Sequence, residues 1–193
     1  MSEPELLRHE EFFVTRTLQE ARAAKAHTDG QFTQAIDDMS AGEWAPDDPG
    51  VLQAAQAARV SDSRVEAIQN IVGKANLPYP SLDSDSVAVG SRVTVSVEGD
   101  DDETFDVTSR FISGMPRDGE AGVELLSAQT DLGRSLLGKK VGETFLWRTP
   151  NGALNGLVRA LDQLAQARFY AQFLPQEEQE ASLSAAVTAD QEG

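Results

Sequence analysis

The chain has 193 residues and a formal net charge of −16, because 32 acidic residues stand against 16 basic ones. This length suits one ordinary domain or two small ones. The absence of cysteine excludes disulfides, thiolate metal sites and cysteine catalysis. The acidity disfavours nucleic acid and anionic membranes as direct partners and favours a positively lined cavity in another protein, unless it only confers solubility.

No apolar run approaches the ~18 residues that span a bilayer, and the chain does not open on a signal-peptide pattern. We therefore expect a cytoplasmic protein.

Residues 5–40 show the period of one long helix. After a first step of seven, mostly apolar residues recur at steps of three and four, as in the a/d seam of a coiled coil, with Lys25 and Thr28 as imperfect positions. The seam consists of Leu7, Val14, Leu18, Ala21, Lys25, Thr28, Phe32, Ala35 and Met39. Gly30 weakens this helix locally, by about 1 kcal/mol relative to alanine.

The pattern breaks at residues 40–50, which hold two prolines and two glycines. Asp48 followed by Pro49 is typical of an N-cap and first-turn pair for the next helix. Residues 50–76 restart the seam with Val51, Ala54, Ala58, Ser61, Val65, Ile68, Val72 and Ala75. Two helices of comparable length joined by a short turn predict an antiparallel coiled-coil hairpin.

Beyond residue 86 the apolar period changes to two, which is typical of half-buried strands. Strands are predicted at residues 87–97, around Phe105 and Val107, at Val123 and Leu125, around Phe145 and Trp147, and near residues 154–161, with a short helix from Thr130 to Leu137 stopped by Gly138. The chain is thus predicted to be α+β, with a small antiparallel β domain after the hairpin.

The predicted organisation has four parts. Residues 1–77 form the hairpin with an acidic tip at 37–48, residues 78–86 a linker, residues 87–162 the β domain, and residues 163–193 a short helix and an acidic tail. The tail beyond Pro175 is poor in large apolar residues, so we predict that it is disordered.

The segment 125–152, LLSAQTDLGRSLLGKKVGETFLWRTPNG, resembles the C-terminal domain of the GreA/GreB family. In that family a strand leads to a short helix, a Leu/Ile-Gly-Lys turn, a Val/Gly pair, an apolar strand and a Pro-Gly-type hairpin. The matching positions are Ser127, Leu132, Leu136, Leu137, Gly138, Lys139, Val141, Gly142, Thr149, Pro150 and Gly152. Residues 89–95 resemble the family's opening strand, and the resemblance extends over about residues 8–162. It implies an FKBP-like β domain.

The resemblance also implies a partner and a mechanism. In Gre factors the hairpin enters the secondary channel of RNA polymerase, where tip carboxylates help to hold the second Mg²⁺ and position a water that cleaves backtracked RNA. Magnesium is held by few carboxylates, and two-metal sites stabilise attacking and leaving oxygens. A monomer with no metal, cofactor or active site of its own is therefore expected.

The tip is rich in carboxylates and has no base. Its acids are Asp37, Asp38, Glu43, Asp47 and Asp48. The family's cleavage factors carry Asp-x-x-Glu just before the second helix, but in the register set by residues 52–55 Asp48 takes the Glu position and Ala45 the Asp position. Asp48, Asp47 and Glu43 are the candidates to reach the polymerase Mg²⁺. Which of them converge depends on the 42–50 turn.

Each candidate also has a simpler interpretation. Asp48 is equally an N-cap, and Asp37 and Asp38 are expected at the exposed end of the first helix. Trp44 either packs against the tip or meets the polymerase as an aromatic anchor. The turn lysines at 139 and 140 meet an acidic polymerase surface or only solvent, and the histidines at 9 and 27 are expected at the surface or on the seam rather than as ligands.

Three functions remain open at this point. The first is a polymerase-binding factor that assists transcript cleavage. The second is a Gre-like homologue that occupies the channel without cleaving, which the altered tip favours. The third is an FKBP-type prolyl isomerase or chaperone, which needs an apolar pocket lined by aromatics, whereas the few aromatics of residues 78–163 are needed for the core.

Overall fold

The computed structural model describes residues 6–40, 49–72, 77, 80, 84–98, 101–112, 114–119 and 121–175. Its elements are α1 (Arg8–Ser40), α2 (Pro49–Gln69), β1 (Arg92–Val97), β2 (Glu103–Thr108), β3 (Val123–Ser127), α3 (Asp131–Leu136), β4 (Thr144–Thr149), β5 (Gly152–Asp162) and α4 (Ala165–Ala171). The chain divides into two compact units: residues 13–73, here the hairpin unit, and residues 1–12 with 74–193, here the β unit.

The hairpin unit is held by the predicted seam. Leu18 and Ala21 of α1 are buried together with Val65 of α2, and Ile68 and Val72 pack against them. Leu18 packs with Val65, and Lys25, seven residues later on α1, lies 2.9 Å from Asp62, three residues earlier on α2. The two helices therefore run antiparallel. The two-helix prediction is confirmed, although α2 ends at Gln69 rather than at 76.

The β unit contains a five-stranded sheet of order β3-β2-β1-β5-β4. The predicted antiparallel pairing is confirmed for β1 with β2, β1 with β5 and β4 with β5. The pair β2 and β3 is parallel instead. A parallel neighbour requires a connection of a dozen or more residues, and residues 109–122 supply it.

One face of the sheet forms the main hydrophobic core with α3. Its buried members are Val87, Val93, Val95, Val97, Val107, Leu126, Leu132, Leu136, Phe145 and Val158. The helix begins at an N-cap, because the Thr130 hydroxyl accepts a hydrogen bond from Gly133 N at 3.0 Å. Gly138 follows the helix in the left-handed region, with φ of 78°, and ends it as the sequence predicted.

The opening strand is shorter than predicted. Val87 is buried in the core, but it precedes β1, which starts only at Arg92. Between them Gly90 adopts a φ of 98° and its N–H donates to Val107 O at 2.8 Å. A turn therefore interrupts the alternating valines before the strand begins.

The other face of the sheet is also covered at β2. Asp106 and Val107 are consecutive, so their side chains point to opposite faces, and both are 0% exposed. Arg92 reaches Asp106 from β1, and Gln166 of α4 donates to the backbone of Ser91, just before β1, and of Val107 in β2. The helix α4 and the start of α1 form this second layer, and both belong to the β unit.

Candidate functional site

The acidic tip falls mostly outside the described residues. Asp37 and Asp38 are exposed on the last turns of α1, as predicted. The described part of α2 begins at Pro49. Glu43, Trp44, Asp47 and Asp48 lie in the segment that is not described, and their roles stay predictions.

The hairpin unit becomes less well packed toward the tip. Leu18, Ala21 and Val65 are buried, whereas the seam positions Phe32, Ala35, Val51 and Ala54 are only partly buried. The seam position Lys25 is occupied by an ion pair with Asp29 and Asp62. These hydrogen bonds, first with Asp29 and then with Asp62, raise the pKa of Lys25. Exposed ion pairs of this kind contribute little to stability.

The LGKK turn, residues 137–140, is fixed to the segment before β1. Gly138 N donates to Val87 O and Val87 N donates to Lys139 O, both at 2.8 Å. The Lys140 ammonium lies 2.6 Å from the Asp85 carboxylate. This hydrogen bond raises the pKa of Lys140 and lowers that of Asp85.

Two apolar side chains flank the lysines of this turn. Leu137 is 38% exposed and Val141 is 53% exposed. The turn therefore presents a small surface of mixed apolar and basic character. The predicted contact of Lys139 and Lys140 with a partner is not tested by this geometry, which shows only that the Lys140 charge is already paired.

An open depression of ≈ 500 Å³ lies beside the LGKK turn. It is lined by Ser84, Asp85, Lys140, Val141, Leu161, Asp162 and Gln163. None of these side chains is aromatic, whereas Phe145 is buried in the core and Phe105 and Trp147 pack against it. Three of the aromatics are thus used for folding, although Phe111 is exposed, and this depression offers little to the isomerase hypothesis.

A buried polar cluster at the start of α1 was missed by sequence reasoning. His9 and Glu10 are both 0% exposed. Their positions in an amphipathic, acidic helix gave no signal of burial, and His9 was predicted at the surface or on the seam. That prediction is wrong, because the His9 ring stacks on Tyr170 of α4 with ring centroids 4.3 Å apart. His27 is exposed, as expected.

Burial shifts the titration of this cluster. Desolvation lowers the pKa of His9 from 6.5 to about 3, so the ring is neutral at physiological pH. Desolvation also raises the pKa of Glu10, against the hydrogen bonds that its carboxylate accepts from Leu7 and Ser109. Both shifts have the same cause, which is the burial of the two side chains between the start of α1 and the β unit.

Arg92 crosslinks the second layer of the β unit. Its guanidinium donates to both carboxylate oxygens of Asp106, at 2.8 and 3.1 Å, and to Asp118 at 2.9 Å. A two-pronged bond of this geometry is among the stronger side-chain interactions. It ties β1 and β2 to the loop that precedes β3.

In the described ranges no group of three or more His, Asp or Glu side chains is placed to hold a metal ion. Among the same residues, no helix combines the length and apolarity that crossing a bilayer requires.

The comparisons with known proteins point to one family. Residues 82–160, which include β1 to β4, α3 and most of β5, match the family model "Transcription elongation factor, GreA/GreB, C-term". The transcription elongation factor GreA of Streptomyces avermitilis is 33% identical over 91 residues, which is 47% of this chain and 53% of that protein. Residues 82–160 are thus similar to the C-terminal domain of GreA/GreB factors.

Other GreA proteins extend the similarity beyond the matched domain. GreA of Thermomicrobium roseum is 28% identical over 151 residues, which is 77% of this chain and 81% of that protein. An alignment of this length in a chain of 193 residues necessarily includes α2. GreA of Thermotoga neapolitana is 30% identical over 91 residues. The chain spans about half the length of the first curated relatives that it matches.

Solved structures give weaker similarities. The crystal structure of GreA factor homolog 1 (Gfh1) of Thermus thermophilus shares 18% identity, covers 83% of this chain and 99% of that chain, and has a TM-score of 0.36. The GreA/GreB factor of Nitrosomonas europaea shares 19% identity, covers 52% of this chain and 77% of that chain, and has a TM-score of 0.32.

Proposed function

We propose that the chain is a Gre-type transcription elongation factor that binds RNA polymerase and inserts its hairpin into the polymerase secondary channel. One observation supports this most strongly. A β unit that matches the GreA/GreB C-terminal domain is joined to a pair of helices whose connecting residues 37–48 contain five acids and no base.

The dimensions and charge of the hairpin suit such a role. The 33 residues of α1 correspond to a helix about 50 Å long. An acidic tip is attracted into a positively lined cavity, where the field is focused by the low-dielectric walls. A long arm with a charged end can therefore reach a buried centre while the β unit stays outside.

Within this proposal the tip carboxylates act on a metal that belongs to the polymerase. Asp48, Asp47 and Glu43 are the side chains that would approach the Mg²⁺, which prefers oxygen ligands. The chain would donate carboxylates and hold them in place. The RNA substrate and the catalytic metal both belong to the polymerase.

A second candidate function is a channel occupant that does not stimulate cleavage. It is favoured by Ala45, which stands where the family's cleavage factors carry the aspartate of Asp-x-x-Glu. Such a protein would modulate transcription by occupying the channel and competing for it.

A transcript-cleavage assay on backtracked elongation complexes separates these functions. The native chain is compared with Asp47→Ala/Asp48→Ala, and Asp37→Ala/Asp38→Ala serves as the control that removes the same charge from the exposed end of α1. Polymerase binding is measured in the same samples. If the tip donates ligands, the first variant binds within about twofold but cleaves about tenfold to a hundredfold more slowly, the scale of losses at metal sites, whereas the control keeps its activity.

The other outcomes are equally informative. Binding without cleavage by both the native chain and the variants identifies a channel occupant. If the native chain does not bind polymerase, the proposed function is wrong.

A further inference from the structure

The first turn of α1 is built into the β unit. Leu6, Leu7, His9 and Glu10 are each 0% exposed, although they open a helix whose later turns belong to the hairpin unit. Leu6 O accepts a hydrogen bond from Leu77 N at 3.0 Å. A helix start is normally a place where the chain frays, so burial of this kind indicates a specific attachment.

Glu10 makes that attachment with one side chain. Its Oε2 accepts from Leu7 N at 2.8 Å, which caps the helix in the manner of a glutamate at the third helical position. Its Oε1 accepts from Ser109 N at 2.6 Å, and Ser109 directly follows β2. The same carboxylate therefore satisfies a free N–H at the helix start and joins α1 to the sheet.

The helix α4 covers this attachment. Tyr170 is fully buried, stacks on His9 and donates its hydroxyl hydrogen to Pro116 O at 2.9 Å. Gln166, also fully buried, donates to Ser91 O at 2.8 Å and to Val107 O at 3.1 Å. Hydrogen bonds from a buried amide to β2 and to the residue before β1 hold α4 in one place.

The position of α4 in the sequence adds to the argument. The match to the GreA/GreB domain ends at residue 160, and α4 begins at Ala165. The contacts above are therefore made by a segment that the domain match does not include. The sheet residues that it contacts lie inside the match.

We propose that α4 is a clasp that holds the first turn of α1 on the β unit. Its positioning residues are Tyr170 and Gln166 on α4 and His9 and Glu10 on α1: Tyr170 stacks on His9, Gln166 fixes α4 to the sheet, and Glu10 binds Ser109. The helix that begins in this attachment continues without a break from Arg8 to Ser40, so the proposal extends to the function of that helix. The functional part of this inference rests on the proposed polymerase function, whereas the attachment itself does not.

Hydrogen exchange on the full chain tests the attachment. Native protein is compared with Glu10→Gln, Tyr170→Ala and the milder His9→Ala, with Glu11→Gln, a half-buried acid of the same turn, as the matched control. We expect amides of residues 6–12 to exchange about tenfold faster or more in the clasp variants, since local opening sets exchange. The control should stay within about twofold.

Exchange in β1 and β5 shows whether the β unit remains folded. Should Tyr170→Ala unfold it, His9→Ala and Glu10→Gln still test the clasp. Unchanged exchange of residues 6–12 in the clasp variants whose β unit stays folded, or an equal increase in Glu11→Gln, would overturn the proposal.

The polymerase assay tests the positioning role separately. The clasp variants should bind polymerase within about twofold of the native chain but lose roughly fivefold or more of its effect on transcription, because misplacement of a remote positioning element is costly. Faster exchange with an unaltered effect would leave the clasp purely structural and overturn the positioning role. If the native chain does not bind polymerase, only the proposed function fails, because the exchange result is obtained without polymerase.

Discussion

The hairpin unit and the β unit are stabilised in different ways. The β unit buries both faces of β2, with a hydrophobic core under α3 and a polar second layer that contains the Arg92–Asp106 pair. The hairpin unit buries a single stripe around Leu18, Ala21 and Val65. A pair of helices can bury only the stripe where they touch. The hairpin unit therefore has less buried core than the β unit, and we expect it to be the less stable of the two.

Two glycines in helices provide the sharpest test of this difference. A Cβ on Gly133 of α3 would lie 2.2 Å from Ser127 O, a backbone atom, whereas a Cβ on Gly30 of α1 would meet nothing within 4 Å. We expect Gly133→Ala to lower the free energy of unfolding by about 4 kcal/mol or more, because the backbone must move. Gly30→Ala should stabilise the hairpin by about 0.5–1 kcal/mol, through helix propensity.

Thermal and urea unfolding followed by circular dichroism measures both effects. The change at each position is from glycine to alanine within a helix, so only the surroundings differ. A mild effect of Gly133→Ala, comparable to that at Gly30, would contradict the close packing of α3 on the sheet.

Leucine truncation in the two units gives the next largest effect. Leu136 is 0% exposed in the core of the β unit, and Leu18 is 5% exposed on the hairpin seam. We expect Leu136→Ala to cost about 3 kcal/mol and Leu18→Ala about 2 kcal/mol, because the open hairpin relaxes into the space more easily. Urea unfolding, with Trp147 fluorescence reporting on the β unit, separates the two. Equal costs would mean that the hairpin is as tightly packed as the β unit.

The smallest effect concerns His9 and pH. Its pKa is 6.5 when the chain is unfolded and about 3 when folded, so below 6.5 the unfolded state takes up a proton that the folded state does not. Stability is therefore complete above this pH and falls as the pH drops toward 3. Between pH ~7 and ~5.5 the loss is about 1 kcal/mol.

Replacing the ring should remove this part of the pH dependence. Unfolding free energies of the native chain, His9→Gln and His27→Gln are compared across that pH range. His27 is exposed on α1, so its variant should retain the native slope. A His9→Gln variant with the native slope would show that the buried ring is not the source.

The elements of both units could be read from the sequence because their signals are local. The steps of three and four around Leu18 and Val65 predicted the helices, and the alternation at Val93, Val95 and Val97 predicted a strand. Gly138 predicted the end of α3, and in the structure this glycine follows the helix with a φ of 78°. The roles of Glu43, Asp47 and Asp48 stay predictions, since residues 41–48 are not described.

Apart from the bounds of α2 and β1, the misses involve residues far apart in the chain. Glu10 and Ser109 are separated by 99 positions, and no periodicity announces that one will accept a hydrogen bond from the other. His9 was assigned to the surface or seam because the stripe on α1 says nothing about Tyr170. The parallel pairing of β2 and β3 depends on where the connection returns, which strand patterns do not encode.

The sequence by itself therefore determined the kinds of elements, the acidic tip and the family resemblance, because helix and strand periods, turn glycines and charge are properties of neighbouring residues. Only the tertiary structure decided that the start of α1 belongs to the β unit, that α4 covers it, and that His9 and Glu10 are buried. Those outcomes follow from packing and desolvation among distant segments, which are settled when the chain is folded.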